Sequence, residues 1–264
     1  MLLIIDALLL ISAALGKDHR AATEEEIVPL DMALNSVDDY YEGCREKMTN
    51  LVKTEYLGKE LCNSAKFKKA WLEATLDASC GTLKCKNTIA IYMYTNTDYK
   101  IYEIFNNDGR NGKQNYENKT YKWYSLQFLL TEAIRLLKKQ QNRCYSTYRG
   151  TKLIFDKDAL NKEICFGSFT SSSLDRYSAH RFGAKSCFEI NTCEGAEVTN
   201  YSRFPYEKEV LIPPYEKFKV TAVKTKGAWC ETVFMLKSSG IISYLNCALF
   251  KKPTKTITKY YGLL

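Results

Sequence analysis

Glu207-Lys208-Glu209-Val210-Leu211-Ile212-Pro213-Pro214 is the stretch on which the reading of this chain turns. Three apolar residues, Val210 to Ile212, follow a doubly acidic start, and the two prolines end the run because proline has no N–H to give to a ladder. The pattern predicts a strand over Glu207–Ile212. Side chains two apart in a strand share a face, so Glu207 and Glu209 would stand side by side while Lys208 points away. Two carboxylates on one face, followed by apolar residues, suit the stabilisation of a cation in a site walled by protein. Taken alone, the same residues also describe an exposed strand start of alternating charge.

Around this stretch, from Cys144 onward, the sequence predicts short strands: Tyr145–Tyr148, Ile164–Phe169, Ser186–Thr192, Lys217–Lys224, Thr232–Leu236 and Ile241–Leu249. The first half reads as mainly helical. Ser36 with Asp39 suggests a capped helix through about Met48, and Asn63 or Ser64 opens a second one carrying Phe67, Trp71 and Leu72. Leu126, Leu129, Leu130, Ala133, Ile134 and Leu137 fall on one helical face, with Lys138 and Lys139 in the last turn. Thr88–Thr95 reads as a buried strand, and Asn106–Thr120, dense in Asn, Gly and Lys, as a loop. A helical part of about residues 28–125 followed by a strand-rich part of about 126–250 predicts a single α+β domain over 17–264.

Residues 1–16, MLLIIDALLLISAALG, read as a secretory signal ending in small residues before Lys17, although Asp6 and the missing basic start are atypical. No later stretch approaches a membrane span, and the C-terminal KKPTKTITKYYGLL lacks the apolar tail of a lipid-anchor signal. The expectation is a soluble, secreted or lumenal protein without a membrane anchor. Ten cysteines behind a signal agree with disulfides, and their roughly nine hundred possible pairings stay open at this point. With no Cys-x-x-Cys and only two histidines, no metal site is expected. Asn118-Lys119-Thr120 and Asn200-Tyr201-Ser202 are glycosylation acceptors. The net charge of +8 attracts anions such as nucleotides without choosing among them. No nucleic-acid-binding module accompanies it, so no nucleic-acid partner is expected.

Absences narrow the chemistry. His19 lies near the N-terminus and His180 is alone, so hydrolases with a histidine base have no supporting signature. Phosphate-loop and dinucleotide fingerprints are missing. Arg149-Gly150, after the strand Cys144–Tyr148, offers a guanidinium where backbone can approach closely, apt for a phosphate-bearing ligand. Ser171-Ser172-Ser173 ahead of Leu174-Asp175 resembles a helix N-terminus.

In this order, Val37–Cys44, Cys144–Gly150, Phe166–Leu174 and Glu207–Glu216 resemble the arginine-specific ecto-mono-ADP-ribosyltransferases, the Arg-Ser-Glu class. The resemblance covers roughly residues 28–250. It implies the ADP-ribosyltransferase fold, a helical part on a two-sheet β core with an NAD cleft. It further implies transfer of ADP-ribose from NAD, or NADP, to arginines of target proteins, with no metal. By the same resemblance Arg149 holds the dinucleotide and Gly150 contacts the nicotinamide amide. Ser171 supports ligand and catalytic glutamate, and Phe182 packs on nicotinamide. Glu209 is similar to the catalytic glutamate and Glu207 to the one that confers arginine specificity. Cys144 with Cys193, and Cys44 with Cys247, resemble the family's two recurrent disulfides; Cys62, Cys80, Cys85, Cys165, Cys187 and Cys230 are left unpaired by it. An NAD glycohydrolase and a non-catalytic recognition module are the alternatives on this fold. A monomer is the expected state.

Overall fold

The computed structural model describes residues 27–226 and 229–250. The signal-like segment, His19 and the C-terminal basic tail lie outside these residues. A short strand, β1 (Ile27–Val28), precedes seven helices: α1 (Arg45–Leu51), continued by a π-turn into α2 (Leu57–Asn63), then α3 (Ala65–Asp77), α4 (Cys85–Thr95), α5 (Ile101–Arg110), α6 (Lys113–Glu117) and α7 (Tyr124–Gln141). Strands follow: β2 (Tyr145–Thr151), β3 (Ile154–Phe155), β4 (Glu163–Ile164) and β5 (Thr170–Ser173). After α8 (Arg176–His180) come β6 (Ser186–Thr192), β7 (Ala196–Glu197), β8 (Glu209–Ile212), β9 (Glu216–Thr225) and β10 (Thr232–Ile241). This is the expected α+β fold, with one large mixed sheet ordered β4-β9-β10-β6-β2-β5-β8-β7 and a small parallel pair β1-β3.

The helices bury the larger core against the β7–β8 end of the sheet, where Phe169, Ala196, Val198 and Leu211 meet α4, α5 and α7. A second core of Phe188, Ile190, Phe218, Val220 and Phe234 lies among β6, β9 and β10. The sheet has a seam. β2 pairs with β6 over seven residues, yet with β5 through Tyr148 and Ser173 alone. Two leaves therefore meet at one ladder position, and a cleft opens there.

Several expected elements differ. Thr88–Thr95 is helix, not strand: α4 is buried on every side from Asn87 to Thr95, and such a run carries no period to distinguish the two. Asn106–Thr120 is no loop; burial of Phe105 and Tyr116 folds it into the end of α5 and into α6, overriding weak propensity. Ser36–Cys44 is not helical, because the Asp38 and Asp39 carboxylates are spent elsewhere. Asp38 accepts from Tyr244 and Leu245 N–H (2.7 and 2.9 Å), and Asp39 from Cys247 N–H (2.9 Å) and the Tyr116 hydroxyl (2.8 Å). The segment thus ties the stretch before α1 to the stretch after β10, beside the Cys44–Cys247 disulfide. The strand expected over Ile164–Phe169 is confined to Glu163–Ile164, and Ile241–Leu249 turns away after β10. The second helix begins as read, with Ser64 Oγ accepting from Phe67 N–H (3.2 Å).

Four disulfides join Cys44–Cys247, Cys80–Cys85, Cys144–Cys193 and Cys187–Cys230. Cys62 is exposed and Cys165 buried, both unbridged. Asn118 and Asn200 are exposed. Among the described residues no helix is long and apolar enough to cross a membrane.

Candidate active site

The cleft at the seam is lined by Tyr148, Arg149, Gly150, Ser171, Ser172, Ser173, Ala179, Phe182, Glu207 and Glu209. All six site residues read from the sequence meet here. A separate cavity of about 750 Å³ between α2, α3 and α5 contains none of them.

Each wall has a local cause. Ser171-Ser172-Ser173 is strand β5, not a helix start; the cap of α8 is Asp175, whose carboxylate accepts from Tyr177 N–H (3.0 Å). In β5 the serines pair with β8, Ser171 opposite Leu211 and Ser173 opposite Glu209. Ser171 and Ser173 share one face and Ser172 takes the other, closing on the Val210 carbonyl (2.9 Å). Across the seam the Arg149 guanidinium donates to the Ser171 carbonyl (2.7 Å). Ser173, which sequence reading passed over, donates to the Glu207 carbonyl (2.6 Å) and accepts from Asp175 N–H (2.9 Å). Ser173 is the second serine of the Ser-x-Ser element that the resemblance opens at Ser171, although no role was assigned to it there.

Glu207 and Glu209 reach the cleft differently from the period-two expectation. Glu207 ends a 3-10 turn, Pro205–Glu207, and Lys208 adopts a left-handed conformation (φ 48°, ψ 50°); β8 starts only at Glu209. A tight turn, not a shared strand face, brings both carboxylates to one cleft.

Gly150 and Gly183 explain why Phe182 is there. A Cβ on Gly150 would lie 2.4 Å from the Gly183 carbonyl oxygen and 2.5 Å from that of Ala179. A Cβ on Gly183, at φ 142°, would lie 2.4 Å from the Thr151 backbone. Only glycine at both points lets the turn after α8 lie flat on β2. That contact holds Phe182, 56% exposed, at the cleft's mouth beside Arg149.

Burial dominates the electrostatics of the cleft. Glu209 is 5% exposed. Burial pushes its carboxyl from 4.5 up to about 7; the Ser171 hydroxyl opposes the rise, Glu207 adds to it and Arg149 opposes it. Burial also raises Glu207, against the charge of Arg181. Burial holds Arg149 below its ordinary value; Arg110 works in the same direction, and Glu209 against it. A guanidinium and two carboxylates thus share the cleft, Arg149 as the donor suited to an anion and both acids made more basic by burial. Among the described residues no group of His, Cys, Asp and Glu is placed to hold a metal ion.

Comparison with known proteins agrees with this geometry. The model of the family NAD:arginine ADP-ribosyltransferase matches residues 30–239. The chain is 35% identical over 235 residues to NAD(P)(+)--arginine ADP-ribosyltransferase 2 of Gallus gallus, covering 85% of this chain and 74% of that one. It is 33% identical over 257 residues to ecto-ADP-ribosyltransferase 5 of Homo sapiens, covering 92% and 88%. The solved structure of the eukaryotic mono-ADP-ribosyltransferase ART2.2 superposes with a TM-score of 0.71 at 31% identity, covering 85% of this chain and 100% of that one.

Proposed function

Since the chain belongs to the NAD:arginine ADP-ribosyltransferase family, we propose that its cleft transfers ADP-ribose from NAD to arginine side chains of proteins, releasing nicotinamide. The observation that carries the reading is the convergence of Arg149, Ser171, Glu207 and Glu209 at one seam of the sheet.

The roles follow from the chemistry. Arg149, whose guanidinium is fixed by the Ser171 carbonyl, receives the phosphates of NAD. Gly150 offers backbone to the nicotinamide amide, and Phe182 offers a ring face to the nicotinamide. The bond from ribose C1 to nicotinamide nitrogen breaks with its electron pair leaving on nicotinamide, whose ring charge is thereby neutralised. The ribose is left with oxocarbenium character, and the Glu209 carboxylate, buried and aligned by Ser171, stabilises it. The acceptor guanidinium is charged at neutral pH and a poor nucleophile until it loses a proton. Glu207, half-buried and more basic than an ordinary carboxylate, orients it and takes that proton as the new C–N bond forms.

Transfer is favoured over simple NAD hydrolysis because Glu207 is present in addition to Glu209. The test is incubation of the purified chain with labelled NAD and agmatine, beside Glu209→Gln and Glu207→Gln. Wild type should yield ADP-ribosyl-agmatine and Glu209→Gln nothing. Glu207→Gln should lose transfer while some NAD hydrolysis survives; equal loss of both would remove the acceptor role of Glu207. The protein acts outside the cell or at its surface, as its disulfides and ecto-enzyme relatives support. Cys44–Cys247 and Cys144–Cys193 are its framework, and Asn118 and Asn200, both exposed, are its glycan acceptors.

A further inference from the structure

Behind the cleft, the helical part touches the catalytic strands through a buried polar contact. Tyr94 on α4 donates its hydroxyl proton to the carbonyl of Phe169, the residue before β5 (2.9 Å). Asn106 on α5 donates its side-chain N–H to the Tyr94 oxygen (3.0 Å). The tyrosine's single proton is committed to Phe169, so the amide must turn its nitrogen towards Tyr94. Its oxygen, Oδ1, is then buried without a partner. A buried acceptor left unpaired is a cost that an apolar residue would avoid, and such costs are kept where function needs the other half of the group.

The mechanical need is visible in the sheet. β5 is held to β8, and so to Glu209, by four consecutive pairs, but to β2, and so to Arg149, by one. The ladder therefore does little to set where β5 stands across the seam. Tyr94 anchors the start of β5 from outside the sheet, two residues before Ser171. Its ring is seated edge-on against Phe105 and Phe169, both at 6.2 Å. The hydroxyl also lies within electrostatic reach of the whole site. Burial pushes it up to about 12 and the charge of Glu209 adds to this, while Asn106, the Ser171 hydroxyl and Arg149 oppose it.

We propose that Tyr94, held by Asn106, is a positioning residue for the reaction: it fixes β5 so that Ser171 presents its hydroxyl to Glu209 and its carbonyl to Arg149. The inference rests on the NAD-cleaving reading of the cleft. Tyr94 touches no reacting atom; it acts through Ser171.

The experiment measures NAD cleavage against pH for wild type, Tyr94→Phe, Asn106→Ser and the double variant. Tyr94→Phe should lower kcat about tenfold to a hundredfold, the scale of a small misplacement of catalytic groups, with KM for NAD within about twofold. Its acid limb should move to higher pH, because a displaced Ser171 hydroxyl no longer favours the Glu209 anion. The double variant should lose no more than Tyr94→Phe alone, since both substitutions cut one chain of contacts. Asn106→Ser leaves the ring packing intact and carries the same direction of change if Tyr94→Phe does not fold. An active wild type with unchanged kcat and acid limb in these variants, or a change in thermal stability alone, overturns the positioning role. A wild type inert towards NAD overturns the reading of the cleft as well.

Discussion

Replacing Glu209 with glutamine should make the protein more stable and catalytically dead, and the gain should depend on pH in a calculable way. Burial raises the Glu209 carboxyl from 4.5 to about 7 in the folded chain. Between these values the folded state keeps a proton that the unfolded state has lost, so stability falls as pH rises through that window and levels off above it. At 1.36 kcal/mol per unit, the ionised carboxylate costs the fold about 3 kcal/mol at pH 8 and almost nothing near pH 4. Glutamine has Glu209's shape, keeps an oxygen for the Ser171 hydroxyl, and never ionises. Glu209→Gln should therefore exceed wild type by about 3 kcal/mol at pH 8, which in a domain of this size is a Tm roughly 6–12 °C higher. At pH 4.5 most of that difference should vanish. The assay is thermal denaturation of both proteins across pH without NAD, beside NAD turnover. Equal Tm values at pH 8, or a less stable Glu209→Gln, would refute the argument that burial sets this group's acidity. Undiminished turnover would refute its catalytic role independently.

Three further outcomes test other parts of the site. Acid inhibition should follow Glu209: kcat/KM for NAD should rise with pH through about 7, and Ser171→Ala should move that limb upward because the serine hydroxyl holds the carboxyl down; an unmoved limb would detach Ser171 from Glu209. Gly150→Ala should raise KM for NAD at least about tenfold, since its Cβ lands 2.4 Å from the Gly183 carbonyl and must push Phe182 out of place; wild-type KM in the variant would show the turn can yield freely. Cys144→Ser, opening a loop of sequence separation 49, should lower stability by about 2–4 kcal/mol, and unchanged chemical denaturation would count against the bridge.

The strands that carry the site were legible where alternation or abrupt breakers mark them. Ser186–Thr192 coincides with β6, and Pro213-Pro214 closes β8 as proline chemistry demands. The helical scaffold was less so. In α4 all residues from Asn87 to Thr95 are buried, and a helix surrounded by protein shows no polar face to betray its period. In α5 the polar letters Asn106 and Asp108 look like loop chemistry, yet each is consumed by a tertiary hydrogen bond, to Tyr94 and to Trp123. Local reading fails at such residues because their partners are distant in sequence.

The acidic pair shows a subtler version of the same limit. Its two carboxylates do converge, but through a 3-10 turn and a left-handed lysine, so the correct meeting came from a geometry the alternation did not contain. The difference has a chemical consequence. On one strand face the two groups would have shared one environment and similar acidities. A turn separates them: Glu209 heads a buried strand and is held up to about 7, whereas Glu207 stays half-buried beside Arg181 at the mouth. On the proposed mechanism the inner carboxylate serves the ribosyl cation and the outer one an arginine arriving from solvent. Lys208, the residue that the strand reading merely turned away, is the hinge on which this division rests. Its left-handed backbone is a conformation that glycine or asparagine adopts more readily, so Lys208→Gly should preserve both activities while Lys208→Pro, whose ring excludes positive φ, should abolish transfer.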